Sequence, residues 1–100
     1  MVRNQMRPIH PGEVLREEFL VPLGMTAHAL SQAIHVPATR INDIVNGKRG
    51  VTADSALRLA RYFGNSPEFW LNLQAAHDLR ATEREAAARI EREVRPRQTA

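Results

Sequence analysis

The sequence predicts an all-α fold for its 100 residues. Apolar residues recur at spacings of three and four along most of the chain, and no segment shows the sustained apolar and polar alternation of a half-buried strand. Five such stripes each lie between residues that favour helix starts and helix ends. With 43% hydrophobic and 25% charged residues, the chain can bury one modest core, so we expect one small domain of five helices.

The first helix is predicted to begin at HPGE, residues 10–13. Proline is tolerated at the first helical position, and the acid can reach back to the cap. Pro22 and Gly24 are predicted to end the helix. Its buried stripe would consist of Leu15, Phe19 and Leu20.

The second and third helices are separated by only three residues, HVP at 35–37. Thr26 is a good N-cap for the second helix, and the third would begin at Pro37, run for about three turns and end where Gly47 adopts the left-handed conformation. The predicted buried residues are Leu30, Ala33 and Ile34 in the second helix and Ile41, Ile44 and Val45 in the third.

Thr52 and Ser66 are predicted to cap the fourth and fifth helices, and Gly64 separates the two. The fifth helix has an extension rich in Ala, Glu and Arg, so we expect an extended C-terminal helix. The predicted buried stripes are Ala56, Leu57, Ala60 and Phe63 in the fourth helix, and Trp70, Leu73 and Ala76 or His77 in the fifth.

Composition narrows the classes of function. The chain has no cysteine, and none of its four histidines has a second histidine at i+3 or i+4, so we expect no metal site, no cofactor and no enzymatic activity. No segment approaches the roughly 20 apolar residues of a membrane span, which predicts a cytoplasmic protein with no membrane partner. No feature indicates a small-molecule substrate. Residues 25–64 carry five Lys or Arg against two Asp, a local excess that favours a polyanionic partner.

Residues 26–47 are predicted to form a helix-turn-helix, because a three-residue turn is too short for an antiparallel hairpin. In that arrangement the second helix presents its N-terminal residues to the major groove of DNA, so Arg40 can read guanine and Thr39 can contact a thymine methyl or a phosphate. The following basic loop is better suited to phosphates. Alternatively, Arg40 pairs with Asp43 on the surface. The candidate DNA-binding residues are Ala38, Thr39, Arg40, Asn42, Asp43, Asn46, Lys48 and Arg49.

Three segments carry a family resemblance: HPGEVLREEFL, RINDIVNGKRGVTADSALRLARYFG and SPEFWLNLQ. With them, the chain from about residue 9 to residue 79 resembles the HigA (VapI) antitoxins, a branch of the λ-repressor-like helix-turn-helix superfamily. The resemblance divides the chain into a flexible tail (1–8), an antitoxin domain (9–79) and a C-terminal helical extension (80–100). One position departs from the superfamily pattern: a glutamine that contacts phosphate is replaced by Ala27.

The resemblance implies a homodimer that binds a palindromic operator, represses its own operon and neutralises a co-encoded HigB toxin, an mRNA-cleaving ribonuclease of the RelE type. Such a toxin exposes a basic surface, so we expect it to contact the acids of the first helix, Glu13, Glu17 and Glu18. Alternatively, these acids are only solvent-exposed side chains that interact favourably with the N-terminal end of the helix dipole. The nearly neutral C-terminal helix is the rival docking surface for the toxin. The expected dimer interface consists of Leu79, Ile90 and Val94.

The sequence alone leaves two other functions open. One is a free-standing repressor with the same DNA chemistry and no toxin. The other is a protein-interaction module that keeps the fold but has lost DNA binding, which the alanine at position 27 makes conceivable.

Overall fold

The computed structural model describes residues 7–98, and within that range the chain is helical without a β-strand. The prediction of an all-α, five-helix fold is confirmed. Most of the predicted flexible tail, residues 1–6, lies outside the described residues, as do residues 99–100. The helices are α1 (11–23), α2 (Ala27–Ile34), α3 (Ala38–Val45), α4 (Ala53–Phe63) and α5 (Pro67–Glu93).

Helix α1 has a wide turn in its middle. It is α-helical over Pro11–Val14, π-helical over Leu15–Leu20 and α-helical again over Val21–Leu23. The backbone N–H of Val21 accordingly donates to the carbonyl of Arg16, five residues back. The prediction that Pro22 helps to end the helix is wrong, because this proline lies inside the final turn. The stop comes from Gly24, in the left-handed conformation with φ 61°.

Threonine and serine cap three of the helices as predicted. Thr26, Thr52 and Ser66 each accept a hydrogen bond from the backbone N–H three residues ahead, at 3.0, 3.2 and 3.1 Å. Helix α3 has Pro37 as its N-cap and only eight residues, so it is just over two turns long and shorter than predicted.

The core lies where α1 to α4 meet the first turns of α5. The large side chain of Trp70 is fully buried there, and its indole N–H donates to Asn65 Oδ1 at 3.0 Å. Phe19 packs on it with ring centroids 5.1 Å apart. The other large core side chains with less than 2% exposure, besides Pro11, are Leu15, Leu30, Ile41, Ile44 and Leu59.

Two residues predicted to be buried lie on the surface, since Leu57 is 60% exposed and Ala33 is also exposed. Of the alternatives Ala76 and His77, Ala76 is exposed and His77 is half-buried. The α4 stripe is centred on Leu59, and Leu57, two residues away, is rotated by about 200° around the helix and so faces away from the core. Ala33 is turned away from the α2 stripe for the same reason.

Helix α5 runs without interruption across the predicted domain boundary between residues 79 and 80. Its 27 residues give a rod of about 40 Å, which accounts for much of the 56 Å long axis of the molecule. The division of the chain at residue 80 therefore does not coincide with a break in secondary structure and stays a prediction.

Candidate nucleic-acid interface

The turn between α2 and α3 is held from both sides. His35 leaves α2 in the left-handed conformation, with φ 60° and ψ 50°, and the N–H of Val36 donates back to the carbonyl of Ser31 at 3.0 Å. From α4, the Arg58 guanidinium donates to the carbonyls of Ile34 and His35 at 2.9 and 3.3 Å. These bonds satisfy carbonyls at the end of α2 and fix the angle at which α3 leaves the turn.

Helix α3 is buried on one face and open on the other. Ile41 and Ile44 are 1% and 0% exposed, so the opposite side of this short helix faces solvent. Thr39, Asn42 and Asn46 are exposed there, whereas Ala38 is half-buried. The Asn42 amide donates to the carbonyl of Ala38 at 3.1 Å, a bond that DNA would have to compete with.

Arg40 is half-exposed at the start of α3, and its guanidinium lies 3.8 Å from Asp54 on α4. The alternative pairing of Arg40 with Asp43 is wrong, because the Asp43 carboxylate lies 3.9 Å from Arg49 instead. Asp54 also accepts from Arg58 Nε at 2.7 Å. Because the Arg40 contact is too long for a hydrogen bond, the donors of its guanidinium are free for another partner.

The loop after α3 carries the remaining basic residues. The backbone N–H groups of Lys48 and Arg49 donate to the carbonyl of Asp43 at 2.8 and 3.2 Å, which closes the end of α3. Gly47 has φ 74°, as predicted. Both basic side chains are exposed, and within residues 7–98 Lys48 has no ion pair. The loop therefore presents two cations beside the open face of α3.

Two residues that support this interface were not identified from the sequence. Arg58 braces the turn, and Gln74 of α5 accepts a hydrogen bond from the N–H of Val51 at 2.7 Å. Both contacts join residues more than twenty positions apart, so no local pattern marks them.

The acids of α1 do not form a free negative cluster. Glu13 receives two hydrogen bonds of 2.8 Å from Arg7, which lower the pKa of its carboxyl. Glu17 accepts from Arg16 at 2.9 Å, and Glu18 is exposed with no ion pair in the described part of the chain. The remaining predicted contact residues, Leu79, Ile90 and Val94, are 53%, 44% and 62% exposed.

Comparison with known proteins agrees with this geometry. Residues 15–70 match the helix-turn-helix family. The chain is 57% identical over 83 residues to virulence-associated protein I of Dichelobacter nodosus, which covers 83% of this chain and 77% of that protein. It is 46% identical to antitoxin HigA-1 of Vibrio cholerae, covering 79% and 74%. The chain belongs to the HigA family of helix-turn-helix antitoxins. The structure of Pseudomonas aeruginosa antitoxin HigA with the higBA promoter is 46% identical, with a TM-score of 0.89, and covers 92% of this chain and 100% of that one.

Ala27, where the superfamily pattern has glutamine, is half-buried and packs against the core, and an alanine side chain has no polar group to offer a phosphate. No helix among residues 7–98 has the length and apolar character needed to cross a membrane.

Proposed function

We propose that this chain is an antitoxin that binds the operator of its own operon as a repressor and neutralises a HigB-type toxin. The observation that carries the proposal is the braced helix-turn-helix, with an open α3 face flanked by Lys48 and Arg49. The similarity to the Pseudomonas aeruginosa antitoxin HigA, whose solved structure includes the higBA promoter, supports it.

Within this proposal, different residues of the interface contact bases and phosphates. The first turn of α3 enters the major groove, where Arg40 and Thr39 reach base edges and Asn42 and Asn46 contact neighbouring bases or phosphates. Lys48 and Arg49 neutralise phosphates and set the register. Asp43 supports the loop through its carbonyl and its carboxylate, and Ala38 lets the helix approach closely.

The test of DNA binding is a titration of the promoter at several salt concentrations. Each phosphate that is neutralised should contribute about −0.9 to the slope of log affinity against log salt, and Lys48→Ala should make that slope shallower by about one unit for each subunit. Binding without salt dependence, or no binding, would favour a protein-interaction module instead.

The proposed toxin contact lies on α1. This helix starts behind α3, and its outer acids, Glu17 and Glu18, are exposed, so a basic ribonuclease could bind there while the α3 face holds DNA. Of the three predicted acids, Glu13 is the least suited to bind a basic toxin, because its carboxylate is already paired with Arg7.

Charge reversal separates the toxin contact from DNA binding. The double variant Glu17→Lys and Glu18→Lys should slow toxin association and leave operator affinity nearly unchanged, with Glu83→Lys and Glu85→Lys on α5 as the matched control. Loss of toxin binding only in the control would move the contact to α5. A co-encoded protein that binds neither variant nor the unchanged chain would favour a free-standing repressor.

A further inference from the structure

Gln74 links the loop after α3, residues 46–52 and here called the basic loop, to α5, and both ends of its amide form hydrogen bonds. Its Oε1 accepts from the backbone N–H of Val51 at 2.7 Å, and its Nε2 donates to Asp78 Oδ1 at 3.0 Å. A Cβ on Gly50 would lie only 3.0 Å from the same Oε1, so the amide lies flat against the loop backbone. The contact therefore fixes the last residues of the loop, immediately after Lys48 and Arg49.

This pairing needs an amide of the right length. The Gln74 amide donates to the exposed Asp78 and accepts from the Val51 N–H, and neither a carboxylate nor an aliphatic side chain can make both bonds. The Val51 side chain is 5% exposed, and its N–H would lose its partner if the amide were removed. A donor left without a partner destabilises the ordered loop, which favours its release.

The other end of the loop lies beside the neighbouring groups of the same cluster. Asp78 lies 3.2 Å from His77 Nδ1, and the His77 ring packs edge-on against His10 with centroids 4.9 Å apart. The His10 ring in turn lies 3.9 Å from the place where a Cβ on Gly47 would stand. The Val51 end of the loop is therefore hydrogen-bonded to a residue outside the helix-turn-helix, and the Gly47 end lies next to the His10 ring.

We propose that Gln74 is a positioning residue for operator binding, which holds the basic loop so that Lys48 and Arg49 meet the phosphates without a further ordering cost. This inference rests on the proposed DNA binding. A loop that is already ordered does not have to lose conformational freedom when DNA arrives, so the two cations contribute more of their electrostatic attraction to affinity.

The experiment measures promoter affinity against salt for Gln74→Ala and Gln74→Met. Neither substitution changes the charge of the protein, yet we expect both to weaken binding about tenfold and to make the salt slope shallower by about one unit for each subunit. Combining Gln74→Ala with Lys48→Ala should change the slope less than the sum of the single changes, because both act on the same contact. Asn72→Ala, on the same helix and exposed, is the matched control and should bind like the unchanged chain.

The outcomes separate this inference from the proposed function. An unchanged chain that shows no salt-dependent promoter binding overturns both. If the unchanged chain binds and Lys48→Ala alters its slope, but the Gln74 variants keep the slope, the positioning role is wrong and DNA binding stands. Full recovery by Gln74→Met, which restores volume without the hydrogen bonds, also overturns the positioning role. All variants are compared below their unfolding transitions, so that loss of fold does not imitate loss of positioning.

Discussion

At the scale of single residues, the ion pairs beside α3 are weak enough to be exchanged for DNA. Arg40 lies 3.8 Å from Asp54, and Arg49 lies 3.9 Å from Asp43. Exposed pairs of this kind contribute about 0–1 kcal/mol, whereas a bidentate contact to guanine discriminates by about 1–3 kcal/mol. The acids therefore keep the arginines near the interface without holding them there against a base or a phosphate.

Arg40→Ala should weaken operator binding by about 1–3 kcal/mol and relax the preference at one base pair in each half-site. Competition titrations against a set of single-base operator variants measure both effects. Lys48→Ala is the control, because loss of a phosphate contact weakens all sequences alike. If Arg40→Ala leaves the ranking of the operator variants unchanged, then Arg40 positions the helix and does not read a base.

His10 makes the start of α1 sensitive to pH. Its Nδ1 accepts from the N–H of Gly12 at 2.9 Å, which only an unprotonated nitrogen can do. Burial lowers the pKa of His10 below its ordinary value of 6.5, His77 lowers it further, and Asp78 opposes them. Glu13 and its partner Arg7 are the other charged groups near this end of the helix.

The sign of the pH effect follows from linkage. The unfolded chain takes up a proton near the ordinary pKa and the folded chain resists it, so stability is full above about pH 6.5 and falls as the pH drops through that value. Urea unfolding at about pH 7.5 and about pH 5.5 should show this loss. His10→Asn keeps a cap that does not titrate and should show a smaller loss. An equal loss in both proteins would assign the effect to other groups.

At the scale of elements, the sequence around each helix start predicted its N-cap, but it did not predict which side chains are buried by contacts with other helices. Thr26, Thr52 and Ser66 cap helices because a hydroxyl needs only the N–H three residues ahead. The exposure of Leu57 depends on which neighbours α4 packs against, and that is decided by tertiary contacts. For the same reason, the contact residues on α3 could be proposed from spacing, whereas the support of the loop by Gln74 could not.

The turn of the helix-turn-helix should depend on the conformation of His35. Its φ of 60° lies in the left-handed region, which costs a residue with a side chain about 1–2 kcal/mol and disfavours β-branched residues most. His35→Val should therefore lower the free energy of unfolding by about 1–2 kcal/mol, measured with urea. His35→Asn is the matched control, since asparagine tolerates this region. Equal stability of the two variants would show that the turn can relax.

At the scale of the whole molecule, the two proposed partners occupy different surfaces. Lys48 and Arg49 lie in the loop after α3, the exposed Glu17 and Glu18 lie on α1, and the long α5 carries exposed apolar residues among side chains of both charges. Leu79, Ala86 and Ile90 recur at spacings of seven and four, which places them on one face of that helix. A face of this kind on a helix that leaves the core fits a second copy of the chain.

Dimerisation through this face gives the last prediction. One short α3 reads few bases, so useful specificity requires two copies with their reading helices about 34–36 Å apart on a palindrome. The double variant Leu79→Glu and Ile90→Glu places charge on the proposed face and should sediment as a monomer with weak affinity for the full operator. Leu57→Glu, at an equally exposed apolar residue of α4, is the matched control and should remain a dimer. The opposite pattern, a dimeric double variant and a monomeric Leu57→Glu, would place the two-fold axis beside α4, because only a contact there would bury that side chain.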